Sequence, residues 1–191
     1  MHYNYFRHYN QQDSRHVKGK STMGHGDSLE DLHSLIALCP PPRNPGSYPS
    51  DHRELLHTYD TGCFDEFLWV FAENAPNSNL DIIRQTEQMR SAFRHKPLGT
   101  LRSVLNEHHA TLEDLVQWGA TDNADVLAWI AVGEPDSWPT VIIQAGQLNA
   151  VVFPADSTTT LLGLLTGSLR VPFFPDDFPS GNPEFDVNPY R

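Results

Sequence analysis

Cys63 together with a histidine such as His57 or His108 has the atoms of a thiol nucleophile and its general base. That chemistry needs a thiolate and a base matched to it in space. Cys63 instead leads into the apolar run FDEFLWVF, where a small buried residue is expected, and no spacing fixes a partner imidazole. His108 and His109, flanked by Glu107 and Glu113, are metal-ligand types. Adjacent side chains point apart, and no third ligand lies at a telling distance along the chain, so a solvated surface pair is the expectation. The chain has no glycine-rich phosphate loop, no His-Glu-x-x-His pair, no Gly-x-Ser-x-Gly elbow and no Cys-x-x-Cys. No catalytic residue, metal ligand or cofactor site is therefore expected, and the chain reads as a non-enzyme.

The densest constellation is Trp118-Gly119-Ala120-Thr121-Asp122-Asn123-Ala124-Asp125, followed by Trp129 and by Gly133-Glu134-Pro135-Asp136-Ser137-Trp138-Pro139. Three tryptophans bracket five acidic or amide groups. Two readings stand: tryptophans as sheet core with Asp-Asn turns at strand ends, or an aromatic and acidic binding surface. Trp129 sits inside an apolar run, which favours core; Trp118 and Trp138 fit either. The expected partner-binding residues are Asp122, Asn123, Asp125, Glu134, Asp136 and Trp138, over a scaffold of Trp118 and Trp129.

These residues need strands to hold them. From about Leu112 the runs LEDLVQW, DVLAWIAV, WPTVIIQ and NAVVF are separated by the turn-forming clusters ATDNA, GEPDS and AGQL, which predicts an antiparallel meander. FDEFLWVF, Phe64 to Phe71, predicts one more buried strand. Helices are expected in four places: Leu29 to Ile36 behind the Ser28/Asp31 capping pair and ahead of Pro40, Pro41 and Pro42; from Ser50 to Tyr59, with Leu55, Leu56 and Tyr59 facing inward; from a cap near Ser78 or Asn79 through Ile82, Ile83, Thr86, Met89 and Phe93 until Pro97; and from Asp156 or Ser157 to Gly167. VPFFPDDFP alternates aromatics with prolines and predicts an extended tail with its phenylalanines inserted in the core. The fold class is α+β: an antiparallel sheet of about four to six strands packed with helices.

The 191 residues include 39% hydrophobic residues, enough for one core without disulfides or a structural metal. Two cysteines make no disulfide framework, and no apolar run or secretory h-region marks a membrane or export route, so a cytoplasmic protein is expected. Residues 1–26, polar and aperiodic, read as a disordered leader, with the working domain over 27–191 and a start near Met23. The net charge of −11 is uneven. From Ser103 onward only Arg170 and Arg191 oppose twelve carboxylates, a field that repels nucleic acid and favours a basic partner, although plain solubility produces the same balance.

The order PPP, P-S-D-H-x-x-L-L-x-x-Y, G-C-F-D-E-F-L-W-V, N-L-D-I-I-R-Q, W-G-A-T-D-N-A-D-V-L-A-W, E-P-D-S-W-P-T-V and T-G-S-L-R-V-P-F-F-P-D-D-F-P resembles the SUKH superfamily, and its actinobacterial branch most. The likeness runs from about Leu29 to Phe178. That superfamily joins fungal cell-wall-synthesis regulators to bacterial immunity proteins of polymorphic toxin systems. The resemblance implies a non-catalytic, cytoplasmic immunity protein that occludes a toxin, often a nuclease or deaminase; the acidic body fits it, because a toxin that grips nucleic acid tends to have a basic surface. Its fungal side implies the alternative, a regulatory or scaffold module without a toxin. Ala124 stands where the family usually has glycine; if that turn needs a positive φ, alanine costs about 1 kcal/mol there.

Overall fold

The computed structural model describes residues 48–187. The expected leader, the helix over Leu29 to Ile36, Cys39 and the triple proline lie outside the described residues. Four helices, α1 (Ser50–Tyr59), α2 (Ile82–Phe93), α3 (Leu101–Glu107) and α4 (Ser157–Leu165), accompany seven strands: β1 (Gly62–Phe64), β2 (Leu68–Val70), β3 (Leu115–Thr121), β4 (Val126–Ile130), β5 (Thr140–Ile143), β6 (Ala150–Phe153) and β7 (Phe185–Val187). The strands form one antiparallel sheet in the order β6-β5-β4-β3-β2-β1-β7. The first six are a meander, so neighbours in sequence are neighbours in space. Among the described residues, no helix is long and apolar enough to cross a membrane.

The sheet is α+β as expected but has seven strands, and the differences have local causes. FDEFLWVF is not one strand but a hairpin. Asp65 and Glu66 take φ of 56° and 53°, the pair of left-handed residues that a tight hairpin turn demands, and the Asp65 carboxylate is held by the Ser180 backbone N–H and hydroxyl. The tail is not extended. Two successive turns, closed by Phe174 N–H on the Val171 carbonyl and Phe178 N–H on the Pro175 carbonyl, bury Phe178 and leave Phe173 and Phe174 half-buried. The chain then returns as β7, the seventh strand, against β1. Leu112 to Asp114 form a 3-10 turn ahead of β3, and Ser78 to Leu80 another ahead of α2, whose N-cap is Asp81 rather than Ser78 or Asn79.

Helices cover both sheet faces, which is why β4 and β5 are buried at every position. On one face Leu55 of α1 and Leu161 and Leu164 of α4 pack over Leu68, Trp118, Leu127, Trp129 and Ile142. On the other, Met89 and Phe93 of α2 and Leu101 and Leu105 of α3 pack over Leu115, Val126, Ala128, Ile130, Val141 and Ile143. α2 also closes an edge. Where β2 ends, β3 is left with unpaired backbone groups; Arg90 donates two hydrogen bonds to the Leu115 carbonyl, 3.0 and 2.8 Å, and Gln117 N–H donates to Thr86 Oγ1 at 2.9 Å. Gly119 follows a register shift in β3, and a Cβ there would stand 2.5 Å from the Trp69 carbonyl oxygen. No other residue fits so close an approach.

Candidate functional site

β4 separates the sequence-predicted site residues into two groups. Asp122, Asn123 and Asp125 lie in the β3–β4 hairpin; Glu134, Asp136 and Trp138 lie past the other end of β4. The five residues of β4 alone span about 13 Å, so the six residues do not make one patch.

The hairpin end is braced internally. Asp122 accepts the Trp69 indole N–H at 3.2 Å, and its own N–H donates to the Phe67 carbonyl at 2.9 Å. Asn123 is exposed. Asp125 is only 3% exposed. Its Oδ1 accepts the Ala145 N–H at 2.8 Å and its Oδ2 the Thr121 hydroxyl at 3.0 Å, which ties the hairpin to the β5–β6 turn. Burial raises its pKa, and those two hydrogen bonds pull the other way. The expectation that Asp125 meets a partner is therefore corrected: its carboxylate serves the fold. Ala124 has φ of 65°, the left-handed conformation in which glycine costs least.

The loop end is open. A 3-10 turn over Pro135 to Ser137 projects Glu134 and Asp136 into solvent. Ser50 N–H, the first of α1, donates to Asp136 Oδ1 at 2.6 Å across 86 positions of sequence, because Pro49 before it brings no side-chain cap. That bond, with the Ser50 side chain and the nearby Arg53 charge, lowers the Asp136 pKa. Trp138 donates its indole N–H to the Gly133 carbonyl at 3.0 Å and rests against Trp129, ring centres 6.2 Å apart. Beside it lies a groove of about 660 Å³, bordered by His108, Val132, Asp136, Trp138, Asp156 and Thr159.

Beneath this end lies a buried group that sequence reasoning missed. Trp118 and Trp129 are fully buried, ring centres 6.0 Å apart, and the His52 ring stands edge-on to both. His52 Nε2 lies 2.9 Å from the Phe71 carbonyl, which can only accept, so Nε2 carries the proton. Nδ1 is 3.2 Å from Ser157 Oγ, yet that hydroxyl donates to Asp51 Oδ2 at 2.6 Å. One serine proton faces two acceptors. Thr158 adds its N–H and hydroxyl to the same Asp51 oxygen, both at 2.9 Å. Burial pushes His52 down to about 4, against the Phe71 carbonyl and the Asp51 charge, so the imidazole is neutral and locks α1 to α4. The available signal was the stripe 52, 55, 56, 59, in which His52 stands on the buried face of α1. Tyr59, expected inward, is exposed.

The residues weighed for catalysis lie apart from this end, except His108. Cys63 is buried; burial first, then the carboxylates of Asp122, Asp186, Glu66 and Asp65, push its thiol up to about 12, so it holds its proton. His108 caps the end of α3, His109 follows with φ of 52°, and among the described residues no three ligand-type side chains converge as for a metal. Comparisons with protein-family models, with curated proteins and with solved structures return no match to this chain.

Proposed function

We propose that this chain is a non-catalytic binding domain, an immunity protein of the SUKH type that neutralises a basic toxin domain, nuclease or deaminase, by covering it. One observation carries this reading: the exposed Glu134, Asp136 and half-buried Trp138 share one turn beside a groove, at the end of an acidic body. An aromatic residue rimmed by polar groups is the usual anchor of a protein interface, and opposite charge speeds encounter with a basic surface. The resemblance in W-G-A-T-D-N-A-D and E-P-D-S-W-P adds the toxin. Cytoplasmic location follows from the same reading, since a nuclease must be met where its substrate is.

Survival is the test. Cells that express a secreted-toxin domain encoded beside this gene should grow only when this chain is co-expressed, and the purified pair should dissociate more readily as salt rises. Growth arrest with and without the chain, across every neighbouring toxin domain, removes the immunity reading and leaves the scaffold module.

A further inference from the structure

The groove at the loop end has an unusual construction: both of its carboxylates are immobilised by helix N-termini. Asp136 Oδ1 accepts the first N–H of α1 at 2.6 Å, and Asp156 Oδ1 accepts the Thr159 N–H of α4 at 2.6 Å. The Ser50 side chain also bonds Asp136, but a carboxylate offers about four acceptor positions, so neither Asp136 nor Asp156 is exhausted by its cap. Trp138 supplies an aromatic wall fixed by its own hydrogen bond to Gly133, and Val132, 44% exposed, supplies an apolar lip. Two carboxylates, Asp136 and Asp156, border the groove, against the His108 ring, the Arg53 charge near Asp136 and the partial positive ends of α1 and α4.

We propose that this groove seats the side chain of an arginine presented by a basic protein partner, its guanidinium plane on Trp138 and its N–H groups toward Asp136 and Asp156. Guanidinium is the cation that both stacks on an indole and donates in a fork to carboxylates, whereas an ammonium is a more strongly hydrated point charge. Because the caps hold the carboxylates in place before binding, little side-chain freedom is lost on capture. This rests on the reading of the chain as a binding domain for a basic partner, and specifies its anchor point.

The test needs no toxin. The full chain, labelled with nitrogen-15, is titrated with acetyl-Gly-Arg-Gly-amide and with its uncharged citrulline counterpart, following the Trp138 indole N–H, which a Trp138→Phe variant assigns. A saturable shift at Trp138 and the neighbouring Val132 and Ser137 amides, on the order of millimolar for so small a probe, is expected with arginine and about tenfold weaker with citrulline. Thr159→Lys, at the exposed rim, should weaken the arginine peptide about tenfold while the rest of the spectrum stays in place. Equal response to the two peptides, arginine shifts confined to the β3–β4 hairpin, or no saturable shift overturns the proposal. Toxin protection in the survival assay together with any of those results would retain the immunity reading and move its interface elsewhere.

Discussion

The two ends of β4 carry the same sequence texture, tryptophan beside clustered acids, and use it oppositely. At the hairpin end the acid turns inward: Asp125 is buried, and both of its oxygens accept hydrogen bonds from within the fold. At the loop end the acids stay at the rim, where Asp136 caps α1 with one oxygen and remains in solvent. The difference lies in what each turn borders. The hairpin folds back against the β5–β6 turn, whose Ala145 N–H needs an acceptor, whereas the loop end meets two helix N-termini and no covering element among the described residues. An acidic cluster in a sequence is thus either a brace or a surface, and the neighbouring orphan donors decide which.

Acid should separate the two ends. His52, beneath the loop end, has a folded pKa of about 4 against an ordinary 6.5. Between those values the unfolded chain binds a proton that the folded chain refuses, so this contribution is complete above pH 6.5 and is lost as pH falls toward 4, about 3 kcal/mol in all. Asp125 has the opposite sign: its raised pKa makes the folded state the better proton acceptor, and acidification relieves it. Urea melts of the wild type across pH 7.5 to 4.5, about the span of the imidazole titration, should show the loss. His52→Gln, whose amide can still donate to Phe71 and accept from Ser157, should flatten the profile. A wild-type profile as flat as the variant's would erase the contrast between the two ends where it is expected to be greatest.

The hairpin brace gives the next effect. Asp125→Ala leaves the Ala145 N–H without its buried acceptor and should cost about 2 kcal/mol at neutral pH, while Asp125→Asn, which still accepts at that position, should recover most of it. Trp138 fluorescence and any partner affinity should stay unchanged in both. Weakened partner binding in a fully folded Asp125→Asn protein would mean that the hairpin, too, is interface.

The meander, the helix-capping role of Asp156 and the core position of Trp129 are legible in the sequence because each is local: alternating apolar runs, an acid before a helix, a tryptophan inside VLAWI. What escapes is long-range or set by backbone sign. Two left-handed residues divide FDEFLWVF into a hairpin, and nothing in residue type forces a positive φ on Glu66. α3 is absent from the sequence expectation although Leu101, Val104 and Leu105 have helical spacing. β7 exists only because β1 offers an edge, and FDV carries no strand signal alone. For the site, the acids stand out as a group, but their partners, Ser50 for Asp136 and Ala145 for Asp125, lie 86 and 20 positions away.

Ala124 offers the finest adjustment of the comparison. Its φ of 65° places a Cβ in the left-handed region at the tip of the hairpin, where the Ala124 N–H closes the turn on the Thr121 carbonyl at 2.9 Å. The strain costs about 1 kcal/mol. Glycine relieves it, but glycine also widens the unfolded ensemble, which takes back part of the gain. Ala124→Gly should therefore stabilise the chain by only about 0.5 kcal/mol, read as a small rise in urea midpoint with an unchanged slope. The same change leaves the groove peptide's affinity untouched, because the turn lies across the length of β4 from Trp138. A stabilised hairpin with unaltered groove binding would show that the two ends act independently. A change in arginine-peptide affinity would show instead that strain in the hairpin is transmitted along β4 to the loop end.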